Sequence, residues 1–62
     1  MNKDQLQPID FEEVVINDDQ YKSWLIKVEG EDYWFPKSIC ELEKENQTIF
    51  APLWLCERLG IL

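Results

Sequence analysis

Between Ser23 and Ser38 two apolar-rich runs flank a short polar break. Ser23-Trp24-Leu25-Ile26-Lys27-Val28 and Tyr33-Trp34-Phe35-Pro36-Lys37-Ser38 are rich in β-branched and aromatic residues, and Glu29-Gly30-Glu31-Asp32 separates them. That pattern predicts a β-hairpin. With Glu29-Gly30 as a two-residue turn, Val28 faces Glu31, Lys27 faces Asp32, Ile26 faces Tyr33, Leu25 faces Trp34 and Trp24 faces Phe35. Side chains alternate between the faces of a strand. Trp24, Ile26, Val28, Tyr33 and Phe35 therefore form the core face, and Leu25, Lys27, Asp32 and Trp34 the other. Lys27 opposite Asp32 is a favourable charge pair, worth roughly a few tenths of a kcal/mol.

The flanking segments extend this frame. Phe11–Ile16 reads as a strand because its β-branched residues suit a half-buried pleated surface. Asn17-Asp18-Asp19-Gln20 is a polar turn. An odd connection from Asn17 to Tyr21 sets Val14 and Ile16 beside Trp24 and Ile26, and a one-residue slip would put Glu13 there instead. Residues 1–10 carry few apolar side chains and are interrupted by Pro8, so they read as a flexible tail, with Ile9 and Phe11 where the chain first meets the core. Pro36 cannot donate to a ladder and breaks the second hairpin strand. After that break a third strand runs over Lys37–Leu42, Glu41–Gln47 is an exposed turn, and Thr48–Ala51 is a short fourth strand. Pro52 opens a helix over residues 52–59, and Gly60 suits its C-terminal cap. The expected fold is mainly β: a small curved antiparallel sheet of about four strands, an SH3-like or OB-like partial barrel, with one short C-terminal helix. Residues 11–62 form its single domain.

Composition narrows the function. In a chain of 62 residues the core is thin, but 45% of the residues are hydrophobic and 13% aromatic, and large rings supply much burial. The formal charge of −7 keeps the chain in solution and steers it toward basic surfaces. It argues against sequence-independent nucleic-acid binding, which needs Lys and Arg on phosphates. The N-terminus is polar and no run is long and apolar enough to cross a membrane, so a cytoplasmic location with reduced thiols is expected.

The residues that carry chemistry are sparse. The chain has no histidine, which removes Ser-His-Asp and Cys-His catalysis. Cys40 and Cys56 lack the further Cys or His partners of a zinc site and read as small buried hydrophobes. The carboxylates fall at turns and strand ends, where a solvated surface explains them. Asp18-Asp19 lacks the regular oxygen ligands and glycine of a calcium loop. Gly30 and Gly60 are too few for a phosphate-cradling loop. No catalytic residue, cofactor or metal is expected. The surface remains: Trp34 on the face away from the core, with Leu25 beside it and Lys37 beyond Pro36, is an interface anchor by type. Trp54 on the helix either covers Trp34 or adds a second exposed ring. The candidate partner-binding residues are Leu25, Trp34, Lys37 and Trp54.

The order Trp24-Leu25-Ile26-Lys27-Val28-Glu29-Gly30-Glu31, then Trp34-Phe35-Pro36-Lys37-Ser38, then Pro52-Leu53-Trp54-Leu55 with Leu59-Gly60-Ile61-Leu62, resembles a family of small, acidic, largely uncharacterised bacteriophage and prophage proteins. The resemblance covers about Lys22–Leu62. It implies a setting inside a bacterial host cell and a host protein as partner, with the chain as modulator or inhibitor. It brings no catalytic residues. Two other readings stand beside it: a nucleic-acid-associated small barrel with Trp34 as stacking platform, and a homo-oligomer paired through sheet edges.

Overall fold

Both tryptophan-bearing runs become strands, and four further strands and a helix are built around them. The computed structural model describes residues 5–62. In order these are β1 (Leu6–Asp10), β2 (Glu13–Ile16), β3 (Ser23–Val28), β4 (Glu31–Pro36), β5 (Glu41–Glu43), β6 (Thr48–Pro52) and α1 (Leu53–Leu59). They form two three-stranded antiparallel sheets, β1-β6-β5 and β2-β3-β4. The mainly β character with one short C-terminal helix is as expected, but the described residues form six strands in two sheets rather than about four in one.

The hairpin has the predicted register throughout, from Val28 opposite Glu31 to Trp24 opposite Phe35. Its turn is set by positive φ at both central residues, 50° at Glu29 and 83° at Gly30, the type I′ geometry that matches strand twist. Glu12 Oε1 accepts the Gly30 N–H at 2.8 Å and so ties the turn to the start of β2. The Lys27 ammonium reaches Glu13 of β2 at 3.8 Å, so the ion pair found lies on the β2 side of β3 rather than toward Asp32. Val14 lies opposite Ile26, on the expected core face, but a bulge at Val15 brings Ile16 opposite Leu25 rather than beside Trp24 and Ile26. The extra residue breaks the strict alternation and turns Val15 outward.

Two expectations need correction. Leu6–Asp10 belongs to no flexible tail: it pairs along its whole length with β6, and Leu6 and Ile9 are buried. β1 is an edge strand, where Pro8 costs no interior ladder bond. Its buried positions are three apart, so no period-2 signal marks it. The first four residues of the expected tail lie outside the described residues. Likewise, the strand expected over Lys37–Leu42 forms only at its end, where Glu41 and Leu42 belong to β5. The Pro36 carbonyl accepts the N–H groups of Ile39 and Cys40, at 3.3 and 3.1 Å, and this turn delivers the chain to β5 in the other sheet.

One core joins the two sheets and the helix: Ile9, Phe11, Ile26, Val28, Phe35, Cys40, Ile49, Ala51, Leu55 and Cys56, with Trp24, Tyr33 and others packed against it. The predicted core face of the hairpin thus lies in or against it. α1 packs on β6 and β1. Pro52 is the last residue of β6 and the N-cap, with ψ of 145°, rather than the first helical residue. Gly60 takes φ of 81°; its N–H donates to the Glu57 carbonyl at 3.1 Å and the Ile61 N–H to that of Cys56 at 2.9 Å, closing a Schellman cap.

Candidate functional site

Strand parity and an uncovered sheet face build the site. Leu25 and Trp34 are direct partners across β3 and β4, on the face turned from the core. Leu25 is half-buried and Trp34 is 45% exposed. The helix that was a candidate cover packs on the other sheet. Tyr21, 49% exposed at the end of the β2–β3 connection, supplies the ring beside Trp34: their centroids lie 5.9 Å apart with the planes tilted by 38°. Tilted pairs at this distance use the attraction between one ring's edge and another's face. Tyr21 was not among the sequence candidates. The one available signal was parity, since an odd position two before Ser23 falls on the Leu25 face.

The connection carrying Tyr21 is held in place by its own polar atoms. Asp18 Oδ1 accepts the Gln20 N–H at 2.9 Å, and the Asp18 carbonyl accepts the Tyr21 N–H at 3.0 Å. The Trp24 indole N–H donates to Asn17 Oδ1 at 3.1 Å. Lys37 completes this clamp. Its ammonium donates to the Asp18 carbonyl at 3.0 Å and sits 5.8 Å from the Trp24 ring centroid. Lys37 therefore serves the Trp24 side of the sheet and positions the Tyr21 segment, rather than standing beside Trp34. The reason is parity: the Lys37 N–H donates to the Lys22 carbonyl at 2.8 Å, which puts the two lysines opposite each other one step beyond Ser23 and Pro36, on the side of Trp24. Lys22, Lys37, Tyr21, Asp19 and Ser38 line a shallow depression of about 440 Å³ at this end of the sheet.

Trp54 lies apart from this group. It is 54% exposed on α1, beside exposed Leu53, with the Arg58 guanidinium 5.8 Å from its ring centroid one turn on. Such a cation–π contact at an exposed site is worth about 0.5–1 kcal/mol. The structure thus brings together Leu25 and Trp34 of the four candidates, gives Lys37 a positioning role, and places Trp54 on a second surface.

The two thiols and one phenol have shifted protonation. Cys40 and Cys56 are free and buried. Burial, with a smaller contribution from Cys56, pushes the Cys40 thiol up to about 12. Burial also raises Cys56, whose thiol lies 3.8 Å from the Ala51 carbonyl. Reactivity needs thiolate, and both sites suppress it. The Tyr33 hydroxyl donates to Glu31 Oε2 at 2.7 Å, and that bond holds its pKa above the usual value. Among the described residues no three His, Cys, Asp or Glu side chains gather in a metal-binding group, and no helix is long and apolar enough to cross a membrane. Comparison with protein-family models, curated proteins and solved structures finds no match to this chain.

Proposed function

We propose that the chain is a non-enzymatic binding module that engages another protein through the outer face of β2-β3-β4, centred on Trp34 and Tyr21 with Leu25 beneath. One observation carries this: two large rings packed against each other at a tilt, each close to half exposed, on a sheet face that α1 leaves uncovered. The fold gains little from leaving them in water, whereas aromatic anchors dominate interface energetics. An SH3-like or OB-like partial barrel is the finer form of the fold we propose, because two three-stranded sheets share one core. The resemblance to small phage proteins makes a bacterial host protein the partner, and modulation or inhibition the outcome, with cytoplasmic action.

The test is recovery of partners from bacterial lysate by wild type, Trp34→Ala and Trp54→Ala, each checked for native circular dichroism. Trp34→Ala is expected to weaken a specific complex by about 2 kcal/mol, roughly thirtyfold, while Trp54→Ala leaves it intact. Equal recovery by wild type and Trp34→Ala removes the reading. A second reading, single-stranded nucleic acid, is favoured by Lys22 and Lys37 beside Tyr21 in one depression. It requires binding that weakens with salt, and no binding of single-stranded DNA at low salt removes it.

A further inference from the structure

The edge of β4 carries an observation beyond its side chains. β4 is the last strand of its sheet, with β3 its only strand neighbour among the described residues. In an antiparallel ladder, opposed residues alternate between pairs that exchange both hydrogen bonds and pairs that exchange none. Two features fix that alternation here. The two-residue turn makes Val28 and Glu31 a bonded pair, and at the other end the Lys37 N–H donates to the Lys22 carbonyl. Counting by twos from either end gives one answer. Glu31, Tyr33 and Phe35 use their backbone groups on β3, and Asp32 and Trp34 aim theirs away from it.

The open stretch is short and bounded. Pro36 has no N–H, and its carbonyl is taken by Ile39 and Cys40. Asp32 and Trp34 thus offer two N–H groups and two carbonyls on an edge where both side chains are exposed. The side chains there are acidic and aromatic: Glu29, Glu31 and Asp32 are exposed at the hairpin end, and Trp34 follows. A second copy would bring equal acidic edges together, each on a body of charge −7.

We infer that β4 accepts an extended cationic segment of a partner protein as an additional antiparallel strand, with an apolar residue opposite Trp34 and a Lys or Arg opposite Asp32. This rests on the reading of the Trp34 face as a protein-binding surface and gives its mode, β-augmentation. Backbone bonds at Asp32 and Trp34 align the segment, the Tyr21–Trp34 pair receives its apolar side chain, and the acidic hairpin end receives its cation.

The probe is a capped Thr-Thr-Val-Thr-Lys-Thr-Thr peptide, in which valine meets Trp34 and lysine meets Asp32. Two controls accompany it: the same peptide N-methylated at valine, and one with Glu in place of Lys. Binding is followed by amide NMR and hydrogen exchange on the full chain. The Asp32 and Trp34 amides are expected to gain protection. N-methylation removes a donor at constant charge and is expected to weaken binding about tenfold, as loss of one or two hydrogen bonds would. Asp32→Lys, at an exposed site, is expected to reverse the preference toward the Glu peptide. Indifference to N-methylation, protection elsewhere, no shift at millimolar peptide, or a dimer in sedimentation that protects these amides without peptide would each overturn the inference. If Trp34→Ala abolishes partner recovery while the peptide leaves both amides unprotected, the binding surface stands and the edge pairing falls. If Trp34→Ala leaves recovery unchanged, the surface itself falls.

Discussion

The two sheets treat their strands differently. In β1-β6-β5 the central strand β6 is buried at four of its five positions, and only Phe50 is half-exposed. α1 packs against β6 and β1 and sends Leu55 and Cys56 into the core. In β2-β3-β4 the core face is filled, but the outer face carries half-buried Leu25 and Lys27 and exposed Asp32 and Trp34. Ile49 and Trp34 are both large residues in mid-strand, yet one is fully buried and the other 45% exposed. The central strand of the first sheet is committed to stability on both sides, and the second sheet retains a face the fold does not use. That is why a binding surface is sought on the second.

The largest effect should come from the first sheet. Ile49→Ala leaves a cavity at a site with no exposed surface and is expected to cost about 2–5 kcal/mol in urea unfolding. A chain of this length has a total stability of about 3–9 kcal/mol, so this variant gives up a large share of it. An Ile49→Ala midpoint close to wild type would break the contrast between the sheets.

The response to alkali comes next. The Cys40 thiol keeps its proton in the folded state until about pH 12, whereas in the unfolded chain it titrates near the ordinary 9.0. The unfolded state therefore binds fewer protons between those values, and stability falls as pH rises across that window. Below it the contribution is complete. Urea midpoints from pH 8 upward should decline less steeply in Cys40→Ala, and thiol labelling at neutral pH should be slow until the chain unfolds.

Gly60→Ala is expected to cost about 1 kcal/mol. No atom lies within 4 Å of the added Cβ, so the cost is the left-handed backbone alone. Trp34→Ala should cost less than about 1 kcal/mol, since an exposed site leaves no cavity. A loss as large as that of Ile49→Ala would show the outer face to be structural and leave Trp54 as the candidate binding surface. Smallest is Lys27→Ala, whose partly exposed pair with Glu13 is worth about 0.2–1 kcal/mol and weakens with salt.

The hairpin was legible residue by residue because its determinants are local: the turn sequence sets φ, and the pleat sets which side chains share a face. The C-terminal cap was legible for the same reason. β1 was hidden, since Pro8 reads as a break until the strand is known to be an edge, and its burial comes from β6, some forty residues away. Half of the site was readable as well. Leu25 and Trp34 follow from register. Tyr21 needs the folded connection, and Lys37 lost its place beside Trp34 because its cross-strand partner is Lys22.

By itself the sequence determined the strands of the hairpin, their register, the core face and the helix terminus, all set by dihedral preference and alternation over a few residues. Only the tertiary structure decided that the strands divide into two sheets, that α1 covers the first and that Trp34 remains open to solvent. Those outcomes depend on which apolar surfaces meet over long separations, and the pattern along the chain carries no record of that choice.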